Sequence, residues 1–146
     1  MENFQSESKK SGDEFEDVVM SDLIAKNYSN IERNVFISNA GIEIDFLADN
    51  HYVEAKGGND GDNKRPGAKR TDSVKKAIAN GALLKAIIPD AHYIVYFSSK
   101  PVPESSSDNM IKTALNAKII DEVVYLEKAI NEVFDGLFGS WNWAGI

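Results

Sequence analysis

The sequence contains no cysteine and only two histidines, His51 and His92. The absence of cysteine excludes disulfides and thiolate metal sites, and it is typical of a cytosolic protein. With two histidines, a histidine-rich zinc site is not expected. The sequence also has no apolar run that approaches the length of a membrane span and no signal-peptide pattern, so we expect no membrane partner. Any chemistry must therefore rest on carboxylates, lysines and hydroxyls.

Length and composition are those of an ordinary globular domain. The chain has 146 residues, of which 42% are hydrophobic and 27% are charged. Residues 1–10 are polar and show no periodicity, so we predict a flexible tail there and one domain over residues 11–146. The net charge of −7 argues by itself against a nucleic-acid partner, but the distribution of the charge is more informative than its sum.

Residues 42–58 predict two strands joined by a tight hairpin. Apolar residues alternate with polar ones, as in a half-buried strand, at Ile42, Ile44, Phe46 and Ala48 and again at Val53 and Ala55. Two-residue turns at residues 49–50 and at residues 50–51 are both possible. The first turn places Asp45 opposite Glu54, and the second places it opposite Lys56. Either register leaves Asp45, Glu54 and Lys56 on one face, because side chains alternate along a strand.

Two carboxylates that face each other across a ladder repel, and the pairing is unfavourable unless a cation lies between them. A neighbouring lysine offsets part of this repulsion, and a divalent metal offsets more. Carboxylate oxygens at this separation suit Mg²⁺, which binds through one or two carboxylates and keeps several waters. The alternative is a solvated strand face with an isolated ion pair.

A dense group of basic residues follows the hairpin. Six of the sixteen lysines and arginines lie within thirteen residues, opposed there only by Asp72. They are Lys64, Arg65, Lys69, Arg70, Lys75 and Lys76. Such a cluster is typical of a surface that binds the phosphates of a nucleic acid, although a solvated helix face has the same pattern.

Periodicity along the rest of the chain predicts an α/β fold. The first helix runs from residue 11 to about residue 27, and its Glu16 borders the apolar stripe, which allows this side chain to point towards the sheet. The further elements are a strand at 34–38, the hairpin, a helix from about 72 to 88, a buried strand at 91–98, a short helix near 110–115, a strand at 123–126 and a helix at 130–138. Three roles are open for the segment with Trp141 and Trp143. It caps the core, or it supports a dimer interface, or it stacks on DNA.

This arrangement resembles the PD-(D/E)XK nuclease superfamily, whose restriction-endonuclease-like core has the order αβββαβ. The signature of that family is an Asp in the second strand and Glu-X-Lys in the third. Asp45, eight intervening residues and then Glu54-Ala55-Lys56 match it, with Val53 as the usual apolar residue before the Glu. Many members add a Glu on the first helix, where Glu16 stands here. The resemblance covers residues 11–98 and implies a central mixed sheet flanked by helices, followed here by a C-terminal helix–strand–helix extension.

The sequence departs from the family pattern at two points. Ile44 precedes Asp45 where the family name has Pro, and this position of the motif commonly varies. Some members carry a Gln shortly after the Lys or on the next helix, whereas the only glutamine here is Gln5. Membership of that subgroup is therefore not supported.

The resemblance implies a catalytic site made of Glu16, Asp45, Glu54 and Lys56. Asp45 and Glu54 would bind Mg²⁺, for which Mn²⁺ would substitute, with the Ala55 carbonyl as a further ligand. Glu16 would reach the site directly or through water and help to hold a second ion. Lys56 would position or deprotonate the attacking water, or stabilise the transition state. The basic cluster would hold the phosphate backbone.

The resemblance therefore implies a Mg²⁺-dependent DNA endonuclease in the cytoplasm of a prokaryotic or phage-infected cell. A homodimer is expected because cutting both strands of a duplex requires two sites. One alternative is a resolvase for Holliday junctions or other branched DNA with the same site residues. Another is a nucleic-acid-binding module of the same fold without catalytic activity, which would have no need to keep two repelling carboxylates.

Overall fold

The computed structural model describes residues 4–57, 67–128 and 141–144. The helices are α1 (Phe4–Ala25), α2 (Thr71–Ile87) and α3 (Ser106–Asn116). The strands are β1 (Ile31–Ile37), β2 (Ile42–Ala48), β3 (His51–Lys56), β4 (His92–Phe97), β5 (Glu122–Lys128) and β6 (Trp141–Ala144), and a short 3₁₀ turn spans Gly67–Lys69.

Five strands form a mixed, open sheet in the order β1-β2-β3-β4-β5, and β6 joins it beside β5. The first three strands pair antiparallel, as a meander does, whereas β3, β4 and β5 pair parallel. Parallel neighbours need a crossover connection, which α2 and α3 provide. The predicted α/β class and the predicted order of elements through β4 are confirmed.

Helices cover the sheet on both faces. On one face, α1 packs Phe15, Val19 and Leu23 against the sheet. On the other face, α2 and α3 pack through Val74, Ala77, Leu84, Ile111 and Ala114. The side chains of β4 alternate between the two clusters, so this strand is buried on both sides, as its apolar run predicts.

Two predicted elements begin earlier in the structure. The first strand begins at Ile31 rather than at residue 34, and the first helix begins at Phe4 rather than near residue 11, with no proline in that stretch to stop it. Trp141 and Trp143 belong to the short strand β6, which pairs antiparallel with β5. The helix predicted at 130–138 lies outside the described residues. No helix in the described part of the chain combines the length and apolarity needed to cross a bilayer.

Gly57, directly after β3, allows α1 to approach the end of that strand. A Cβ atom at Gly57 would lie 2.6 Å from Cβ of Phe15, which is closer than two such atoms can pack. We therefore expect Gly57→Ala to destabilise the protein by about 1–3 kcal/mol through overpacking. Urea denaturation measures this change. An unchanged midpoint would contradict the close packing of α1 on β3.

Candidate functional site

The β2–β3 hairpin has the first of the two predicted registers. Ala48 pairs with His51, so the turn consists of Asp49 and Asn50. Both residues have positive φ, 46° and 71°, which is the backbone of a type I′ turn and is tolerated well by Asp and Asn. Continuing this register along the two strands brings Asp45 level with Glu54.

Asp45 ends the regular pairing of these strands. The last paired residues are Phe46 and Val53, and beyond them the Oδ2 atom of Asp45 accepts a hydrogen bond from the backbone N–H of Ala55 at 2.8 Å. The carboxylate therefore takes the place of a backbone acceptor. On β1, Asn34 lies level with Asp45 and has a φ of +56°, so the neighbouring strand is distorted at the same point.

The strand β2 changes face at Asp45. Phe46 and Ala48 pack in the cluster under α1, whereas Ile42 and Ile44 pack in the cluster under α2. The prediction of one uniform alternating strand, with these four residues on one face, is therefore wrong. The hydrophobic period of two is unbroken in the sequence. The two halves of β2 nevertheless pack on opposite faces of the sheet, and the change occurs at Asp45.

Glu54 is almost completely buried, with 2% of its surface exposed. Its Oε2 atom lies 3.2 Å from Nζ of Lys56, and its Oε1 atom is buried without a hydrogen-bond partner among the described residues. Burial raises the pKa of Glu54 to about 7. The charge of the Lys56 ammonium lowers this pKa, the negative charge of Asp45 raises it, and hydrogen bonds from Lys56 and from the Asn80 side chain on α2 lower it further.

Asp45 lies in the same electrostatic environment. Burial raises its pKa, which the hydrogen bond from Ala55 and the charge of Lys56 partly lower. Lys56 thus lowers the pKa of both carboxyl groups, and Asp45 raises that of Glu54. The structure brings Asp45, Glu54 and Lys56 together at the end of β3, with Ala55 between them.

Glu16 makes a different contact from the one predicted. Its Oε1 atom lies 3.2 Å from Nη2 of Arg33 on β1. Among the residues that the structure describes, no three His, Cys, Asp or Glu side chains are arranged to hold a metal ion. Two carboxylates therefore meet at the site, and Glu16 does not complete a three-acid cluster with them.

Two residues near the site escaped the sequence analysis. Arg33 lowers the pKa of Asp45, and Asn80 lowers that of Glu54. Arg33 was missed because the first strand was predicted to begin one residue after it. The signal for Asn80 was present, because it is a polar residue that borders the buried stripe of α2, one turn after Ala77.

Four residues of the predicted basic cluster are described, and all four are exposed: Lys69, Arg70, Lys75 and Lys76. Lys64 and Arg65 lie outside the described residues. The 3₁₀ turn that ends at Lys69 rests on the residues after β4, with the N–H of Ala68 bonded to the Ser99 carbonyl. The N–H of Ser98 donates in turn to the Lys56 carbonyl, so this turn and Lys56 lie at the same end of the sheet, where β3 and β4 finish.

A polar cavity of about 270 Å³ opens at the same edge. It lies between the 3₁₀ turn and the beginning of α3, and it is lined by Lys69, Thr71, Val102, Ser105, Ser106 and Ser107. The two histidines lie at the opposite edge of the sheet, where the rings of His51 and His92 meet with their centroids 4.9 Å apart. The histidines are therefore separate from the carboxylate pair.

No family model matches the sequence, and neither a curated protein nor a solved structure is significantly similar to it. The interpretation of the site therefore rests on its own geometry and chemistry.

The donor chemistry of the carboxylate pair is compatible with a Mg²⁺ ion held by two carboxylates and water. The Oε1 atom of Glu54 supports this fit, because it is a buried carboxylate oxygen without a partner in the described part of the chain, and a cation would satisfy it. Oxygen ligands of this kind are those that Mg²⁺ prefers. Asp45 and Glu54 could hold such an ion, with the Lys56 ammonium beside it.

Proposed function

We propose that this protein is a Mg²⁺-dependent DNA endonuclease of the PD-(D/E)XK type, with a restriction-endonuclease-like core. The observation that supports this most strongly is the buried Glu54, which lies beside Asp45 and Lys56 and has one oxygen without a partner among residues 4–57, 67–128 and 141–144. Two interacting carboxylates whose pKa values are both raised by burial cost folding free energy, and such pairs are concentrated at functional sites.

In this proposal, Asp45 and Glu54 hold Mg²⁺, and Mn²⁺ would substitute for it. The bound ion would lower the pKa of a water and neutralise charge on the scissile phosphate. The hydrogen bond from Ala55 to Asp45 keeps one carboxylate in a fixed orientation. The ammonium of Lys56 is held by Glu54 at 3.2 Å, where it can orient the attacking water or stabilise negative charge on the phosphate.

The exposed cations at Lys69, Arg70, Lys75 and Lys76 are proposed to bind the DNA backbone. The position of Lys69 supports this role, because the 3₁₀ turn that carries it packs at the end of β3 and β4 where Lys56 lies. Phosphate contacts of this kind give affinity without sequence specificity. A homodimer is proposed from substrate symmetry, since two sites are needed to cut both strands. A cytoplasmic location stays a prediction from the sequence.

The salt dependence of DNA binding tests the role of the basic residues. The double change Lys69→Ala and Arg70→Ala is expected to weaken binding and to flatten the plot of log affinity against log salt by about 2 units, roughly 0.9 for each lost phosphate contact. Fluorescence anisotropy with a duplex over a range of salt concentrations measures this slope. Lys112→Ala with Lys118→Ala removes the same charge from α3 and the turn after it, and is the matched control. An unchanged slope in the first variant would exclude Lys69 and Arg70 from the contact surface.

Cleavage assays test the proposed function directly. Purified protein is incubated with linear, supercoiled and four-way-junction DNA, with Mg²⁺, with Mn²⁺ and with EDTA. We expect cleavage that requires the metal and that is lost in EDTA. Cleavage restricted to the junction would indicate a resolvase, and binding without cleavage in any metal would indicate a module without catalytic activity.

A further inference from the structure

The outward face of α2 is apolar over its last three turns. A helix at the surface of a soluble protein normally carries charged or polar residues on the side that faces water. In α2, Leu83 and Ile87 are 46% and 43% exposed. All the exposed residues from position 79 to position 87 are aliphatic, and they are Ala79, Ala82, Leu83, Ala86 and Ile87.

The polar residues in this part of α2 are turned away from the outward face. Between Lys76 and Pro89 the sequence has only two polar side chains, Asn80 and Lys85. Asn80 forms a hydrogen bond with Glu54 in the carboxylate site. The Nζ atom of Lys85 lies 2.7 Å from Oδ2 of Asp121. This stretch of α2 is therefore apolar on its outward side as well as on its buried side, which is the pattern of a helix that is covered on both.

An apolar groove continues this face towards α3. The groove has a volume of about 470 Å³ and shares Ala79 with the outward face of α2. Its other apolar lining residues are Ile78, Met110, Ala114 and Ile119. A continuous apolar surface of this kind marks a site of interaction with another macromolecule.

The two ends of the outward face carry opposite charges at equal distances from its centre. Lys76 lies seven residues before Leu83, Asp90 lies seven residues after it, and both are exposed. Seven residues of helix span about 10 Å. If two such faces meet antiparallel with Leu83 at the centre, Lys76 of each copy comes close to Asp90 of the partner subunit. The face is therefore complementary to itself in charge, as a two-fold interface requires.

We propose that the outward face of α2 is the surface through which two copies of this chain associate, with the two α2 helices antiparallel across a two-fold axis at Leu83. The small side chains of Ala79 and Ala86 allow the helices to approach closely. The inference goes beyond the proposed function, because it does not depend on cleavage of DNA. It assigns Lys76 to the dimer interface and leaves the other exposed cations near the site for the DNA backbone.

Sedimentation velocity of the full chain tests the surface. We expect the wild type to sediment as a dimer. Leu83→Lys places two like charges together at the axis and is expected to weaken dimerisation on the order of 100-fold, so that the variant sediments as a monomer. Ile24→Lys is the matched control, because Ile24 is a 58% exposed aliphatic residue on α1, which covers the other face of the sheet. This control should remain a dimer.

Charge reversal tests the antiparallel arrangement. Lys76→Glu and Asp90→Lys are each expected to weaken dimerisation roughly tenfold, because each creates two repelling pairs across the axis. The double variant exchanges the two charges and is expected to recover the wild-type affinity. Two single variants that weaken dimerisation without recovery in the double variant would contradict the antiparallel arrangement.

Disulfide cross-linking provides a second measurement, because the chain has no cysteine of its own. Leu83→Cys is expected to form a covalent dimer on mild oxidation, since the two-fold axis brings this position close to its own copy. Ile24→Cys should stay monomeric in a denaturing gel. The cross-link also serves if circular dichroism shows that Leu83→Lys does not fold.

A monomeric wild type would overturn the inference, and so would a dimer that a folded Leu83→Lys variant leaves intact. Absence of the Leu83→Cys cross-link would contradict it as well. DNA cleavage by the wild type is scored separately. A dimer that does not cleave DNA removes the proposed function and leaves the interface, whereas a monomer that cleaves DNA removes only the interface.

Discussion

Replacement of Asp45 by asparagine, or of Glu54 by glutamine, is expected to reduce DNA cleavage by roughly 10³-fold or more, since a bound metal contributes several kcal/mol of charge stabilisation. Both substitutions keep the size of the side chain and replace an ionisable carboxyl group with a neutral amide. Binding of DNA in EDTA should stay equal or become tighter, because a carboxylate that repels phosphate is lost. Cleavage rates at saturating Mg²⁺ and anisotropy in EDTA measure the two effects.

Glu32→Gln is the control for these variants. Glu32 is an exposed carboxylate on β1 that is paired with Leu47 in the ladder, and its loss changes the net charge by the same amount. The Glu32→Gln variant should cleave DNA at the wild-type rate. The assignment of the site would be wrong if Asp45→Asn lost binding and kept cleavage. It would also be wrong if the control lost as much activity as the two site variants.

The second large effect concerns the stability of the metal-free protein. Burial raises the pKa of Glu54 to about 7, above the ordinary value of 4.5 that it regains on unfolding. Between pH 4.5 and 7 the unfolded state therefore ionises first and binds fewer protons than the folded state. The free energy of unfolding must then fall as the pH rises through this window. The fall attributable to Glu54 is expected to be roughly 3 kcal/mol.

Glu54→Gln isolates this contribution, because glutamine does not titrate. Urea denaturation in EDTA at several pH values should show the variant gaining stability relative to the wild type between pH 4.5 and 7. The difference in unfolding free energy between wild type and variant at each pH excludes the opposing contribution of Asp49, Asp108 and Asp121. The pKa values of these three groups are lowered by hydrogen bonds and ion pairs. A flat difference between wild type and Glu54→Gln would mean that Glu54 is not held in a buried, charge-disfavouring environment.

The sequence predicted well those features that depend on local pattern. The two-residue turn at Asp49 and Asn50 was one of two alternatives, and both residues are types that accept positive φ. The nearly all-apolar run at residues 91–98 predicted a strand covered on both faces, which β4 is. The turn fixed the register as far as Phe46 and Val53, whereas the contact of Asp45 with β3 is made through the hydrogen bond from Ala55.

Features that depend on packing between distant elements were not predictable in this way. The change of face at Asp45 does not show in the hydrophobic alternation of β2, because both halves of this strand are buried, each against a different helix. The contact between Glu16 and Arg33 depends on how α1 lies across β1, and residue spacing does not encode that angle. The early start of α1 was missed because a polar helix has no apolar stripe to detect.

The sequence by itself determined the class of the fold, the order of its main elements and the group of acids and lysine on one hairpin. Those are consequences of side-chain period and turn chemistry, which act over a few residues. Only the tertiary structure decided that Glu54 is buried, with one oxygen unpartnered by any described residue, that Asp45 accepts a backbone N–H of the next strand, and that Arg33 forms an ion pair with Glu16. These depend on which surfaces of helices and sheet come together. Burial and charge are properties of that assembled environment, whereas a residue's identity is fixed along the chain.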